Sequence, residues 1–359
     1  MTAKYRIKPY PLDEVKPGME IGRMVLTRDK KIVLSEGTIL SQSMIEGLKF
    51  WDISTVFIKE LLSDEPDIDF SIPETLQQKK FYADYDDTVH ALKESFAKIR
   101  FFKEVPLAAI RELTNNSIDP LVNSTGVINH IHMIRRQDDY TFHHSVNVAV
   151  ICGVLGKWLG FAEQDLQDLM LAGLLHDVGK TQIPLEILNK PGKLTPEEME
   201  IMRLHTIRGY RLVCDIPNLP MGVAYGVFQH HERFDGSGYP LGVASDKIHD
   251  YAKIIAIADI YDAMTSDRVY HRKITPFAVV DMILEEMFHK LDPEIGIVFL
   301  NNIRDFFVGN IVELSDGRQA EVIYLGHFLA SRPVVVTSDI EYIDLERNKS
   351  LSIVKVIRA

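Results

Sequence analysis

The stretch "IIAIADIYDAM" sets a carboxylate, Asp259, among apolar residues on a segment that reads as a buried helix. An unpaired buried charge costs several kcal/mol, so any fold this chain adopts must bring a cation or a hydrogen-bonding partner to that group. Residues able to answer it recur along the preceding sequence. His144 lies in "YTFHHSVNVAV", His176 and Asp177 in "LLHDVGK", His205 in "LHTIRGY", and His230 and His231 open "HHERFDGSGYP". Singly, each has a bland explanation: a histidine at the end of an apolar helix is usually solvated or hydrogen-bonded, and an HD dipeptide arises by chance. Five histidines and two aspartates outside or at the ends of apolar helices point instead to one shared metal site, because several independent chance placements multiply into a small product.

The segments carrying these groups read as helices. In "DLQDLMLAGLLHD", Leu166, Leu169, Met170, Ala172 and Leu174 recur at helical spacing, and Gly179 is expected to stop that helix. In "TPEEMEIMRLH", Thr195 caps, Pro196 takes the first helical position and Glu198 closes a capping box. Residues 1–62 read as a small α+β domain: "KIVLSEGTIL" as strand, turn at Gly37 and strand, then a helix "QSMIEGLKFW" capped by Ser41, then a strand "TVFIKE". Residues 63–83, with their acids and prolines, read as a linker, and residues 84–306 as a helical domain. From 307 to 359, β-formers alternate around the Asp316-Gly317 turn and "PVVVTS" follows, a short β-rich segment. The expected fold class is mainly α, a helical bundle flanked by small β-containing pieces.

Composition narrows the function classes. A formal charge of −11 argues against coating a nucleic-acid polymer or an anionic membrane. It leaves room for a small anionic substrate, because bound metal supplies positive charge locally. Cys152 and Cys214 lack metal-type spacing and are expected to be free, buried thiols in a reducing cytoplasm. No leader-like segment and no run of about 18 apolar residues stands in the sequence, so no membrane span is expected.

"LLHDVGK", "HHERFDGSGYP" and "ADIYDAMTSDRVY", in this order, resemble the HD-GYP family, a bacterial branch of the HD metal-dependent phosphohydrolases. The likeness covers roughly residues 125–306, and "EVKPGMEIGRMVL" resembles a small domain often found ahead of HD-GYP domains. The resemblance implies an HD-type helical bundle that hydrolyses cyclic di-GMP to pGpG, and in some members to GMP. It implies two divalent transition-metal ions, iron or manganese ahead of zinc or nickel. By motif, His144, His176, Asp177 and Asp259 would hold one ion and His205, His230 and His231 the second, with Asp177 bridging. Imidazoles and carboxylates suit such ions without choosing among them. Two metals roughly 3.5–4 Å apart can share a hydroxide and clamp a phosphodiester for in-line attack. The family places its ligand directly before Ser, which selects His144 over His143, and His143 is expected to be solvated. Members with a third metal carry Glu where this chain has Tyr140, so two metals are expected.

The resemblance also assigns the substrate side. Lys180 stands at the family's active-site lysine, its ammonium suited to offsetting phosphate charge in the transition state. Gly236 and Gly238 let the loop turn tightly, Tyr239 offers a ring on which guanine stacks, and Pro240 stiffens the exit. Asp235 either holds the loop or contacts substrate, and Glu232 and Arg233 are as readily structural. Arg268 stands at the family arginine that reaches the nucleotide, whereas His271 replaces a frequent Lys or Arg, a departure that bears on affinity. Asp262, one turn after Asp259, is either a helix-surface acid or a group that orients a ligand or Lys180. The alternatives are a catalytically weak cyclic-dinucleotide receptor or partner-binding protein, and a phosphodiesterase for another dinucleotide. Degenerate members lose metal ligands or GYP residues, and none is lost here. The N-terminal domain is open to a regulatory role, a homodimer contact, engagement of signalling partners, or packing alone.

Overall fold

The structure, a computed structural model, describes residues 5–61 apart from 24, 27–31, 36, 51–52 and 54, together with 76–134, 139–266, 274–325 and 330–358. The chain forms two compact units, residues 1–69 with 338–340, and residues 70–337 with 341–359.

In the first unit, β1 (Tyr5–Pro11), β2 (Glu20–Ile21), β3 (Val25–Leu26), β4 (Ile32–Leu34), α1 (Gln42–Phe50) and β5 (Thr55–Leu61) follow in order. β5 lies between β1 and β2 in an antiparallel sheet, and β3 pairs with β4. Ile21, Leu40, Ile45, Leu48, Val56 and Ile58 form its core. Ser41 Oγ accepts from Met44 N as the cap. The second strand expected in "KIVLSEGTIL" shrinks to one bridge, Ile39 with Glu20. β1 contains Pro9 and Pro11, which a strand tolerates at a sheet edge, where one row of N–H groups has no partner to lose.

The second unit opens with α2 (Leu76–Phe102), α3 (Leu107–Leu113), α4 (Asp119–Val122) and α5 (Val127–Met133). α2 starts inside the stretch expected to be linker. Phe81, Tyr85, Val89, Leu92, Phe96 and Ile99 form a buried stripe at helical spacing, diluted in sequence by the charged outer face. The central helices are α6 (Tyr140–Trp158) and α7 (Glu163–Leu175), followed by α8 (Leu185–Leu188), α9 (Pro196–Arg203), α10 (His205–Val213) and α11 (Met221–Gln229). α12 (Asp250–Thr265), α13 (Pro276–Glu286) and α14 (Pro293–Ile303) complete the helical set. The capping box of α9 forms as expected, Thr195 Oγ1 accepting from Glu198 N and Glu198 Oε2 accepting from Thr195 N. α6 is buried on every side from His143 to Gly156, as a helix apolar all round must be. It packs on α7 and α12, and α11 packs on both of those, so four helices surround one core.

β6 (Ile311–Leu314), β7 (Gln319–Tyr324), β8 (Val334–Thr337), β9 (Tyr342–Asp344) and β10 (Ile353–Arg358) form an antiparallel sheet in the order β10-β6-β7-β8-β9. Gly317, at φ +88°, makes the expected turn. Val312, Leu314, Ala320, Val322 and Val335 bury into the same core as the helices, so these strands complete the helical unit. Both cysteines are free; Cys152 is buried as expected, but Cys214 is only half-buried.

Candidate metal centre

Each of the four packed helices delivers a group to one point. His144 is on the first turns of α6, Asp259 is on α12, His176 directly follows α7, and His230 directly follows α11. Three of the histidines are aimed by a common device. The last carbonyls of a helix lack intrahelical partners, and an imidazole N–H just beyond satisfies one of them. His176 Nδ1 donates to Gly173 O at 2.7 Å, His205 Nδ1 to Met202 O at 2.9 Å and His230 Nδ1 to Val227 O at 2.9 Å. The tautomer so fixed leaves a bare lone pair on each Nε2.

Those lone pairs converge. His205 Nε2 lies 3.3 Å from His230 Nε2, and Asp177 Oδ1 lies 3.5 Å from His205 Nε2. Ligand atoms of His205, His230 and His231 lie within 4.8 Å of one another, as do those of His144, His176 and Asp259, and of His176, Asp177 and His230. His176 Nε2 and Asp177 Oδ1 are buried and make no hydrogen bond. Two lone pairs facing each other and two orphaned buried acceptors call for a donor or a cation between them, and this nitrogen and oxygen set fits a transition metal.

The electrostatics agree. Burial pushes His205 down to about 4 and His231 to about 3, so both are neutral at neutral pH, the form that binds metal. Burial opposes the charge on Asp177, yet the Lys180 ammonium, 2.6 Å from its Oδ2, and the His176 and His205 rings hold the carboxyl well below the usual carboxylate range. For His144, burial lowers the imidazole, but Asp259 at 3.1 Å from Nε2 and Asp262 at 2.7 Å from Nδ1 outweigh it and raise it to about 9. A proton or a metal ion on Nε2 answers the same Asp259 charge. The side chain of Asp259 is 14% exposed.

Asp262 is buried, not a surface acid. It accepts from His144 Nδ1 and from Asn147 Nδ2, both at 2.7 Å. Asn147 lies one turn from His144 on the same face of α6, a spacing legible in sequence but not singled out. His143, expected to be solvated, is buried, stacked on Tyr85 with its Nδ1 3.2 Å from the phenol oxygen. α6 has no solvent face there, because α2 covers it. Tyr140 stacks on His144 at 5.6 Å between ring centroids.

Gly179 does not end α7, which stops at Leu175; it sits in a 3-10 turn, Val178–Gln182, that follows Asp177. A Cβ on Gly179 would collide with His205 O, so only glycine lets this turn pack against α10 and bring His205 to Asp177. In the loop after His231, Asp235 holds the loop: its Oδ1 accepts from Ser237 N at 2.9 Å and Ser237 Oγ at 2.6 Å. Glu232 is buried and accepts from Leu241 N and Val243 N, clipping the loop shut. Gly236 turns at φ +80°, and a Cβ on Gly238 would strike His231 O and Arg233 N. The Tyr239 ring, followed by half-buried Pro240, lies 4.7 Å from the His231 ring. The Arg203 guanidinium lies over it at 5.2 Å, a contact the sequence reading missed. Arg268 and His271 lie outside the described residues.

Residues 129–295 match the HD domain family. The chain is 32% identical over 233 residues to a cyclic di-GMP phosphodiesterase of Pseudomonas aeruginosa, covering 65% of this chain and 56% of the relative. It is 36% identical over 182 residues to a cyclic di-GMP phosphodiesterase of Thermotoga maritima, covering 50% and 47%. To a 3'3'-cGAMP-specific phosphodiesterase of Vibrio cholerae it is 33% identical over 191 residues, covering 50% and 42%. The chain thus spans about half the length of these curated relatives. An HDG"Y"P protein from Bdellovibrio bacteriovorus shares the fold, with a TM-score of 0.53 at 18% identity over 84% of this chain and 100% of that one. Among the described residues no helix is long and apolar enough to cross a membrane.

Proposed function

We propose that this chain, an HD-GYP family protein, is a metal-dependent phosphodiesterase that hydrolyses cyclic di-GMP to pGpG. The observation that carries the reading is the convergence of five imidazoles and two carboxylates on one point, with His176 Nε2 and Asp177 Oδ1 buried there without hydrogen bonds. His144, His176, Asp177 and Asp259 would hold one ion and His205, His230 and His231 another, with Asp177 between them. Such ions, iron or manganese before zinc or nickel, supply Lewis acidity toward phosphate and lower the pKa of a water that attacks it.

The chain's own residues do the rest. Lys180 is a quarter exposed at the edge of the centre, and its ammonium would meet a non-bridging phosphate oxygen. Tyr239 presents its ring beside His231 for a guanine, on a loop kept rigid by Asp235 and Glu232. Gly236 and Gly238 bring that backbone close, and Arg268 is the residue we assign to the nucleotide phosphate or guanine edge.

A second reading keeps this chemistry and changes the substrate to cyclic GMP-AMP, favoured by the similarity to the Vibrio cholerae enzyme. The test is hydrolysis of both dinucleotides by anaerobically purified protein, with metal content measured on the same sample and Asp177→Ala as control. Turnover of cyclic di-GMP that the control lacks supports the proposal, and preferred turnover of cyclic GMP-AMP supports the second reading. Bound metal without turnover of either points to a receptor, and no metal after reconstitution overturns the centre itself.

A further inference from the structure

The centre does not end at the helices that carry its ligands. From His144 a continuous chain of buried hydrogen bonds runs outward to α2, a helix that lies ahead of the matched HD domain. His144 Nδ1 donates to Asp262 Oδ2, and Asn147 Nδ2 donates to Asp262 Oδ1, each at 2.7 Å. Tyr85 Oη donates to Asn147 Oδ1 at 2.7 Å. His143 Nδ1 stands 3.2 Å from Tyr85 Oη, whose single proton is committed to Asn147, so the imidazole is the donor there. Tyr85, Asn147, His143, His144 and Asp262 are all buried.

The chemistry of the chain allows one direction only. A carboxylate accepts and cannot donate, so the amide group facing Asp262 must be the NH2 of Asn147. Its carbonyl oxygen therefore faces outward and requires a donor, which the Tyr85 hydroxyl supplies. Without that hydroxyl the Asn147 oxygen is a buried acceptor with no donor at this position, and the amide loses what holds it against Asp262. Asp262 in turn sets the ring angle and basicity of His144, as outer-shell carboxylates do for ligating histidines. α2 is also pinned further along, where Arg100 donates to Lys180 O at 2.9 Å and Ile183 O at 3.0 Å, beside the HD pair. Its register against the centre is thus held at two points.

We propose that Tyr85 is a positioning residue of the metal centre, orienting His144 through Asn147 and Asp262. The inference rests on the reading of His144 as a metal ligand. Loss of an outer-shell partner typically costs about 10- to 100-fold in metal affinity or activity, and at two removes from the ligand we expect about 10-fold.

The test uses the full chain, stripped of metal and titrated with Mn2+ against a competing chelator, in wild type, Tyr85→Phe, Asn147→Ser, Val89→Ala and His144→Ala. Tyr85→Phe keeps the ring that packs on Phe81 and His143 and removes only the hydroxyl. Val89→Ala loosens the same buried face of α2 without touching the chain. The expected result is Mn2+ binding weakened about 10-fold in Tyr85→Phe and at least as much in Asn147→Ser, with Val89→Ala at wild-type affinity despite a lower melting temperature. Unchanged Mn2+ binding in Tyr85→Phe, or equal weakening in Val89→Ala, overturns the inference while leaving the centre intact. If Tyr85→Phe does not fold, Asn147→Ser decides by the same comparison. If His144→Ala binds Mn2+ as wild type does, the ligand reading is wrong and the inference falls with it.

Discussion

Lys180 illustrates how one residue holds two partners in prospect. Its ammonium now rests 2.6 Å from Asp177, at the edge of a site in which burial keeps the His205 and His231 imidazoles neutral. Removing one preorganised charge donor from a transition state costs about 10²–10³ in kcat. Under the proposed activity, Lys180→Ala is therefore expected to lower kcat on cyclic di-GMP by that factor with a smaller change in KM, read by steady-state kinetics at saturating metal. His130 offers a residue-scale test of pH. It is buried against Phe81 and Tyr82, and desolvation lowers its pKa. Between that lowered value and the ordinary one of about 6.5, the unfolded chain binds the proton and the folded one does not, so stability falls as pH drops through this window. The melting temperature should fall less between about pH 7.5 and about pH 5.5 in His130→Phe than in wild type, the difference reporting this one group.

At the scale of elements, the centre depends on how closely backbones approach. The 3-10 turn after Asp177 touches α10 through Gly179, and no side chain fits between them. Gly179→Ala must push α10 away, and overpacking of this kind costs about 1–3 kcal/mol. We expect a lower melting temperature together with weaker metal retention, because His205 is the first residue of the helix displaced. Normal metal content at a lowered melting temperature would show that the turn contributes stability but not ligand placement. The helix ends that aim His176, His205 and His230 were legible in sequence only as helix ends. That each imidazole would satisfy a terminal carbonyl and so expose Nε2 needed the fold, since the partner atom is set by the local backbone geometry.

At the scale of the molecule, the proposed centre is expected to couple metal binding to folding. A ligand that binds only the folded state stabilises it by about 2.7 kcal/mol when present at 100 times its Kd. Chelation is thus expected to lower the melting temperature of the helical unit by several degrees, and added Mn2+ to restore it, as calorimetry of stripped and reloaded protein would show. An identical transition with and without metal would contradict a centre that links four helices.

The sequence by itself determined which groups of this protein must find partners. An aspartate on an apolar helix demands a cation or a hydrogen-bonding partner wherever that helix is buried, because the cost of a buried unpaired charge is local, and an HD pair with two adjacent histidines before a glycine-rich loop supplies groups that can hold one. It determined the helices that carry them, the Thr195 capping box and the Asp316-Gly317 turn, all set by neighbours within a few residues. Only the tertiary structure decided that His143 is buried against Tyr85 and that Asp262 turns inward. The same holds for the glutamate that clips the loop and for the early start of α2. Those outcomes depend on what packs opposite: α2 covers His143, Asn147 and His144 claim Asp262, and a charged outer face hides the stripe that fixes α2. Such contacts join residues as far apart as Tyr85 and Asn147, and no local pattern records them.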